Sequence, residues 1–303
     1  MFQTNSRVVD GARKCLMLAI PLLALAAPVA AKGEEGHWSY EGDAGPTHWG
    51  DLSPEFAPCA SGKEQSPVDV PASAPTDAEV VAFDYAPSAV NIVNNGHTIQ
   101  VNYDAGSTIV LEGKTYELAQ FHFHAPSEHQ LANASSPMEL HLVHKAADGE
   151  LAVVGVMVES GAESAALAPA WAHLPATEGE PATIPGAAVD ATGFLPSDRA
   201  YYRYEGSLTT PPCTEGVNWV LMKNPIQASE AQLAAFSGII HANARPEQPL
   251  WDRQFLTAAP STASTVPAML PATGAPGLPI GTLLAAAGAA LAAAGAFRRR
   301  TRG

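Results

Sequence analysis

Gln120-Phe121-His122-Phe123-His124 is the segment of this sequence that is most informative about both its fold and its chemistry. Successive side chains of a β-strand point to opposite faces of the sheet, so the two histidines share one face and the two phenylalanines share the other. The two imidazoles are then about 6.5–7 Å apart at the backbone. The phenylalanines predict a buried core behind this strand, and the histidines predict a polar site in front of it.

A second segment, Glu139-Leu140-His141-Leu142-Val143-His144, repeats the alternation. His141 shares a face with Glu139, whereas His144 has the opposite parity and is predicted to be a core or surface residue. Three neutral imidazoles from two paired strands would hold one zinc ion and leave its fourth position to water, which is typical of a catalytic site. Gln120 and Glu139 are predicted to orient the ligand rings through hydrogen bonds.

Short segments rich in Val, Ile, Leu, Tyr and Phe, bounded by Gly, Pro, Asn or Asp, predict a sheet-dominated α+β domain. Predicted strands cover residues 80–85, 91–93, 98–103, 108–111, 115–124, 139–145, 151–159 and 217–223. Helices are predicted only over residues 162–173 and 229–240, the second with Ser229 as its N-cap. The whole domain is predicted to occupy residues 36–256.

Residues 1–31 have the pattern of a cleaved signal peptide: a basic start, an apolar run from Cys15 to Ala27, and a small-residue site at Val29-Ala30-Ala31. The alternative is a membrane anchor, but the apolar run is short for a span.

The C-terminal region also has the pattern of a targeting signal. Residues 257–269 are predicted to form a Ser/Thr/Ala/Pro linker. Residues 270–303 combine Leu270-Pro271-Ala272-Thr273-Gly274, an apolar segment over 278–297 that is long enough to span a membrane, and an arginine-rich end. This order resembles a sortase sorting signal, cut between Thr273 and Gly274; a permanent single-pass anchor is the alternative. Either predicts an exported domain at the cell surface, held by cell wall or membrane, or a periplasmic one if the source has an outer membrane.

The net charge limits the possible partners, and the cysteine content agrees with export. The chain has 30 acidic residues against 16 Lys and Arg, a net charge of −14. Such a balance argues against nucleic acid or an anionic membrane surface as a partner. After signal removal only Cys59 and Cys213 remain. A disulfide is the expected state in an oxidising compartment, with two free thiols or a zinc pair as alternatives.

Six separated segments carry a family resemblance. They are EQSPVDV (64–70), NNGHTIQV (94–101), QFHFHAPSEH (120–129), ELHLVH (139–144), YEGSLTTPPCTEGVNWVL (204–221) and NARPEQPL (243–250). In these motifs and their order the sequence resembles the α-carbonic anhydrases. The resemblance implies a twisted, mostly antiparallel sheet of about ten strands with zinc at the bottom of a cleft. It also implies reversible hydration of carbon dioxide to bicarbonate and a proton by zinc-bound hydroxide.

The resemblance assigns roles to residues at matching positions. The zinc ligands would be His122, His124 and His141. Glu139 would accept a hydrogen bond from the third ligand, and Gln120 would support the first. Thr209 would accept a hydrogen bond from the zinc hydroxide and give its own proton to the buried Glu128, with Thr210 beside it on the cleft wall.

The two walls of the cleft follow in the same way. The resemblance places carbon dioxide on an apolar wall formed by Val143, Val153, Leu208, Val217 and Trp219. It places a polar wall, which orders water, at Tyr40, Asn95 and Gln100. His97 would be the proton shuttle between the site and the buffer. Rival interpretations are a non-catalytic binding module, a surface adhesin that retains the fold, and a zinc esterase.

Overall fold

The computed structural model describes residues 36–71, 73–76 and 78–258. The predicted signal peptide, most of the linker, and the sorting signal with its apolar segment lie outside the described residues. Within them the secondary structure is dominated by strands, of which the following are found: β1 Asp69–Val70, β2 Ala82–Asp84, β3 Ser88–Asn94, β4 Ile99–Asn102, β5 Thr108–Leu111, β6 Lys114–His124, β7 Gln130–Leu131, β8 Met138–Ala146, β9 Leu151–Ser160, β10 Ala182–Val189, β11 Tyr201–Ser207, β12 Glu215–Met222, β13 Ile226–Ala228 and β14 Leu256–Ala258.

Twelve of these strands form one sheet, with β1 and β7 as a separate parallel pair. Its main path runs β10-β3-β4-β6-β8-β9-β12-β11-β14, while β13 pairs with β9 and β5 lies between β2 and β6. Pairing is antiparallel except where β9 meets β12 and β13. The predicted sheet-dominated, mostly antiparallel class is confirmed. The described sheet has two strands more than the ten that were expected.

Helices are few and short: α1 Trp49–Leu52, α2 Pro58–Ser61, α3 Ala168–Trp171 and α4 Glu230–Ser237. At α4 the predicted cap is confirmed, because the Ser229 side chain accepts from the backbone of Gln232 and the Gln232 side chain accepts from the backbone of Ser229. The predicted helix over 162–173 is wrong except for α3. The chain before α3 is held instead by hydrogen bonds of Ser164 to the side chain of Gln232. None of the described helices has the length and apolar character needed to cross a membrane.

The central strands bury both faces of the sheet. Phe121 and Phe123 on β6 and Leu140 and Leu142 on β8 are completely buried in the large core on one face. The opposite face carries a smaller cluster built around Trp219, and the histidines lie on that side. Alternation along β6 therefore places its aromatic residues in the core and its imidazoles at the site, as the sequence predicts.

Candidate metal centre

The pairing of β6 with β8 brings three histidines together. His122 lies directly opposite His141, and His124 lies opposite Glu139. The ring centres are 5.1 Å apart for His122 and His124, 5.3 Å for His122 and His141, and 4.6 Å for His124 and His141. One potential ligand atom from each ring lies within 4.8 Å of the others. The register between β6 and β8 thus brings together histidines that lie in separate segments of the sequence.

Hydrogen bonds on the far side of each ring determine which nitrogen faces the centre. His122 Nδ1 donates to Gln120 Oε1 at 2.8 Å, and His124 Nδ1 donates to the carbonyl of Asn243 at 2.8 Å. Both acceptors lack a proton to give, so these two rings carry their proton on Nδ1 and present the Nε2 lone pair.

His141 has the opposite orientation. Its Nε2 donates to Glu139 Oε1 at 2.8 Å, which leaves the Nδ1 lone pair facing the centre. The Nε2 of His124 is buried and has no hydrogen-bond partner within the described part of the chain. Leaving a buried polar atom unpaired costs free energy, so an unpaired lone pair among two others fits a bound cation. The donor set of three imidazoles suits zinc.

Burial keeps all three rings neutral. Loss of solvation lowers the pKa of His122 well below its ordinary value, lowers that of His124 to about 4, and lowers that of His141 as well. A protonated imidazole cannot bind a metal. The environment therefore holds the lone pairs ready at neutral pH.

Glu139 supports the ligand ring of His141 on the side away from the metal centre. Its Oε2 accepts from the backbone of Glu128 and of His129, at 2.9 and 2.8 Å, and its Oε1 accepts from the side chains of His129 and His141. Burial alone would raise the pKa of this carboxyl, but the nearby His129 and His141 outweigh it and hold the pKa well below its usual range. Glu139 is therefore an anion that fixes the His141 tautomer.

His129 extends this support, a role that the sequence analysis did not assign. Its Nδ1 donates to Glu139 at 2.7 Å and its Nε2 accepts from the hydroxyl of Tyr204 at 2.5 Å. The Tyr204 hydroxyl in turn pairs with Ser66 Oγ at 2.8 Å. His129, Glu139 and His141 form a second group with metal-ligand spacing. Their facing atoms are already hydrogen-bonded to one another, so the group serves as a support.

Glu128 lies beside the ligands. Its Oε2 is 3.5 Å from His124 Nε2 and 3.9 Å from His141 Nδ1, and its Oε1 accepts from the backbone of Arg245 at 2.9 Å. Burial raises the pKa of Glu128 to about 7, while His141, the Arg245 backbone and the Thr209 side chain oppose the rise. Thr209 is itself 5% exposed. The structure thus brings the predicted Thr209 and Glu128 into one buried group with two of the three histidines.

The five residues predicted for the apolar wall belong to one cluster. Val153, Val217 and Trp219 are buried within it, and the half-exposed Val143 and Leu208 pack against it. Val143 lies opposite Val153, which lies opposite Trp219. The Trp219 ring centre is 4.9 Å from that of His141. The cluster therefore forms an apolar surface that reaches the histidines.

His97 is half-exposed on the rim, the turn of residues 95–98 between β3 and β4. Its ring stacks on Trp38 with centres 3.7 Å apart and planes 9° from parallel. Its backbone carbonyl accepts from the side chain of Asn243, the residue whose own carbonyl holds His124. Two hydrogen bonds thus connect the rim histidine to a ligand ring.

The three predicted polar-wall residues are placed differently from one another. Tyr40 is half-buried, and burial together with the charge of Glu128 raises the pKa of its phenol well above the usual value. Gln100 pairs across the sheet with His122 and donates to Asn102 at 2.7 Å. The side-chain oxygen of Asn95 accepts from the backbone of His97 and of Thr98. Asn95 therefore shapes the turn that carries His97.

Cys59 and Cys213 form a disulfide, as the cysteine count predicts. Cys213 follows the turn in which its N–H donates to the carbonyl of Thr210 at 2.8 Å. Arg245, buried nearby, donates to the carbonyls of Cys59 and Ser66. The loop that carries Thr209 and Thr210 is thus tied to the N-terminal part of the domain.

Comparison with known proteins identifies the family of this chain. The family model described as eukaryotic-type carbonic anhydrase matches residues 44–258. The carbonic anhydrase of Pectobacterium carotovorum is 42% identical over 236 residues, 77% of this chain and 96% of that protein. The one from Nostoc sp. is 42% identical over 233 residues, 75% of this chain and 88% of that protein.

A solved structure shows the same fold. The α-carbonic anhydrase from Thermovibrio ammonificans, solved with the inhibitor sulfanilamide, is 42% identical, with a TM-score of 0.71 over 74% of this chain and 100% of its own. The chain belongs to the eukaryotic-type, or α-class, carbonic anhydrase family. The protein is a carbonic anhydrase, and its family supports the hydration of carbon dioxide as its reaction.

Proposed function

We propose that this chain hydrates carbon dioxide reversibly with one zinc ion held by His122, His124 and His141. The observation that carries the proposal is the convergence of three lone pairs, each fixed by a hydrogen bond on the far side of its ring. Three protein ligands leave one position of a tetrahedral ion for water. Bound zinc supplies Lewis acidity, which lowers the pKa of water to about 7, a value that the carbonic anhydrases themselves define.

The chain would supply orientation. The charge of a bound cation favours the ionised form of Glu128, which lies 3.5 Å from a ligand nitrogen. An ionised Glu128 can only accept a hydrogen bond from the Thr209 hydroxyl, so the Thr209 oxygen would in turn accept a hydrogen bond from the nucleophile. This arrangement would direct the nucleophile toward the apolar wall of Val143, Val153, Leu208, Val217 and Trp219, with Thr210 beside it. Carbon dioxide has no hydrogen to donate and would bind on that wall without leaving a polar group unpaired.

A proton must leave the site in each turnover. His97 is half-exposed at the rim, and an imidazole titrates near neutral pH. We assign it the role of accepting the proton through water ordered by Tyr40 and Gln100 and of passing it to buffer.

Stopped-flow hydration of carbon dioxide by the full-length protein tests this function. The protein is stripped with a zinc chelator, dialysed, and reconstituted with zinc or, as a control, with magnesium. We expect hydration to disappear on stripping and to return with one equivalent of zinc but not with magnesium. Full activity in the stripped protein, or no activity with zinc bound, would refute the proposal.

We also propose export and surface attachment, with residues 1–31 removed and the chain after residue 258 serving as linker and anchor. The predicted boundary at 256/257 is two residues too early, because Thr257 and Ala258 pair with β11 as part of β14. The sequence pattern of both ends supports this proposal, as does the disulfide, which persists in oxidising compartments. Fractionation with mass spectrometry of both termini tests it. A chain ending at Thr273 indicates sorting, and an intact tail in the membrane indicates an anchor. A cytoplasmic chain with residues 1–31 retained would contradict the proposal.

A further inference from the structure

A hollow of about 260 Å³ lies at the rim, beside His97. Its lining includes Tyr40, Gly96, His97, His241 and Asn243. One face of the His97 ring is covered by Trp38, at 3.7 Å between ring centres. The environment of this ring is therefore partly protein and partly open to solvent.

A loop from a distant part of the chain is fixed against the turn that carries His97. The backbone of Gly179 donates to the carbonyl of Asn94 at 3.0 Å, and the side chain of Asn94 donates to the carbonyl of Pro175 at 3.3 Å. The oxygen of the same side chain accepts from the backbone of Gly96 at 3.0 Å. Asn94 thus holds the loop through both its backbone and its side chain, and the same side chain also holds the turn.

This attachment brings the carboxylate of Glu178 to the residue next to His97. A Cβ atom at Gly96 would lie 3.0 Å from Glu178 Oε2 and 3.1 Å from its carboxyl carbon. Gly96 also has a φ of +85°, a conformation that glycine adopts without steric cost. Glycine at this position lets the carboxylate approach the turn closely.

The groups around His97 act on it in opposite directions. Burial and the neighbouring His37 lower the pKa of His97, and Glu178 raises it. Glu41 and His241, both exposed, line the same hollow. Glu178 is the acidic group that opposes the effects of burial and of the second histidine.

We propose that Glu178 is a positioning residue for proton release. Its carboxylate stabilises the imidazolium form of His97, so that this ring accepts a proton from the cleft more readily. The inference rests on the proposed shuttle role of His97. The proton moves from water in the cleft to a ring nitrogen of His97 and then to a buffer base. Glu178 is not a carrier in this route, and its carboxylate changes only how readily the ring accepts the proton.

Glu178→Gln removes the charge and keeps the shape, and Glu180→Gln, in the same exposed loop, is the matched control. The ring proton of His97 is followed by NMR against pH in the full-length protein. At low salt we expect the His97 pKa to fall by about half a unit in Glu178→Gln, as for unit charges about 6 Å apart in water. The shift should shrink by more than half at 0.5 M salt because ions screen it.

Kinetics supply the second readout. In weak buffer we expect the hydration kcat of Glu178→Gln to fall roughly twofold, with kcat/KM unchanged and with recovery in imidazole buffer. Glu180→Gln should match the unmodified protein in both measurements. Equal His97 pKa values in the two variants would overturn the inference. A shifted pKa with unchanged kcat would show instead that His97 does not carry the proton, which refutes the shuttle role and leaves the electrostatic contact standing.

Discussion

Replacing Glu139 by glutamine should disturb the hydrogen bond that orients the ligand ring of His141. The carboxylate accepts four hydrogen bonds, two from backbone N–H groups and two from His129 and His141. Glutamine has one oxygen and one NH₂ group, so it can serve only one of these pairs. If the oxygen serves the backbone pair, the NH₂ group faces Nε2 of His141, whose proton must then move to Nδ1. That is the nitrogen that faces the metal centre.

The size of the effect follows from this geometry. Loss of a group that orients a ligand histidine typically weakens metal binding by about 10- to 100-fold, or about 1.4–2.8 kcal/mol. If the amide takes the other orientation, two buried N–H groups lose their acceptor, at about 1–3 kcal/mol each. We therefore expect weaker zinc binding with one orientation of the amide and a less stable metal-free protein with the other. Neither orientation avoids a loss.

Zinc affinity is measured by competition with a chelator, and the stability of the metal-free protein by urea unfolding. Glu205→Gln, an exposed carboxylate on β11, is the control for the change in charge. The argument that Glu139 fixes the His141 tautomer would be refuted if the zinc affinity lay within about twofold of the control and the free energy of unfolding within about 0.5 kcal/mol of it.

Three further predictions concern stability and proton transfer. Cys59→Ser with Cys213→Ser opens a loop of 154 residues and should lower the free energy of unfolding by up to about 5 kcal/mol; an unchanged urea midpoint would contradict this. Burial lowers the pKa of His144, which pairs with the Tyr85 hydroxyl, to about 3. The unfolded chain binds this proton near pH 6.5, so stability should fall as the pH drops from 6.5 toward 3, and His144→Gln should reduce the slope by about 1.4 kcal/mol per pH unit between pH 4 and 6; identical slopes in urea titrations would exclude this. His97→Ala should slow turnover in weak buffer, with rescue by imidazole and with kcat/KM unchanged; full turnover without rescue would remove its assigned role.

Local alternation was sufficient to predict the faces of β6 and β8. Because strand side chains repeat every two residues, the parity of His122, His124, Glu139 and His141 could be read from the sequence. The register could not, since it is set by how the strands pair. The structure places His122 opposite His141.

Sequence patterns did not predict the hydrogen bonds by which distant segments hold the site residues in place. His129 binds Tyr204, 75 residues away, and Arg245 binds Cys59, 186 residues away. A polar side chain in a motif gives no sign of which distant partner it will meet. Strand β10, Ala182–Val189, also lacks an apolar alternation because most of it is exposed at the sheet edge. The chain at 162–167 has helix-forming residues, but tertiary hydrogen bonds to α4 hold it in another conformation.

X-ray absorption at the zinc edge of the full-length protein tests the central claim most directly. The account predicts about one zinc per chain, bound by three imidazole nitrogens and one further light atom at about 2.0–2.1 Å, with one imidazole signal lost in His122→Ala. A sulfur ligand at about 2.3 Å, or an unchanged spectrum in His122→Ala, would contradict it.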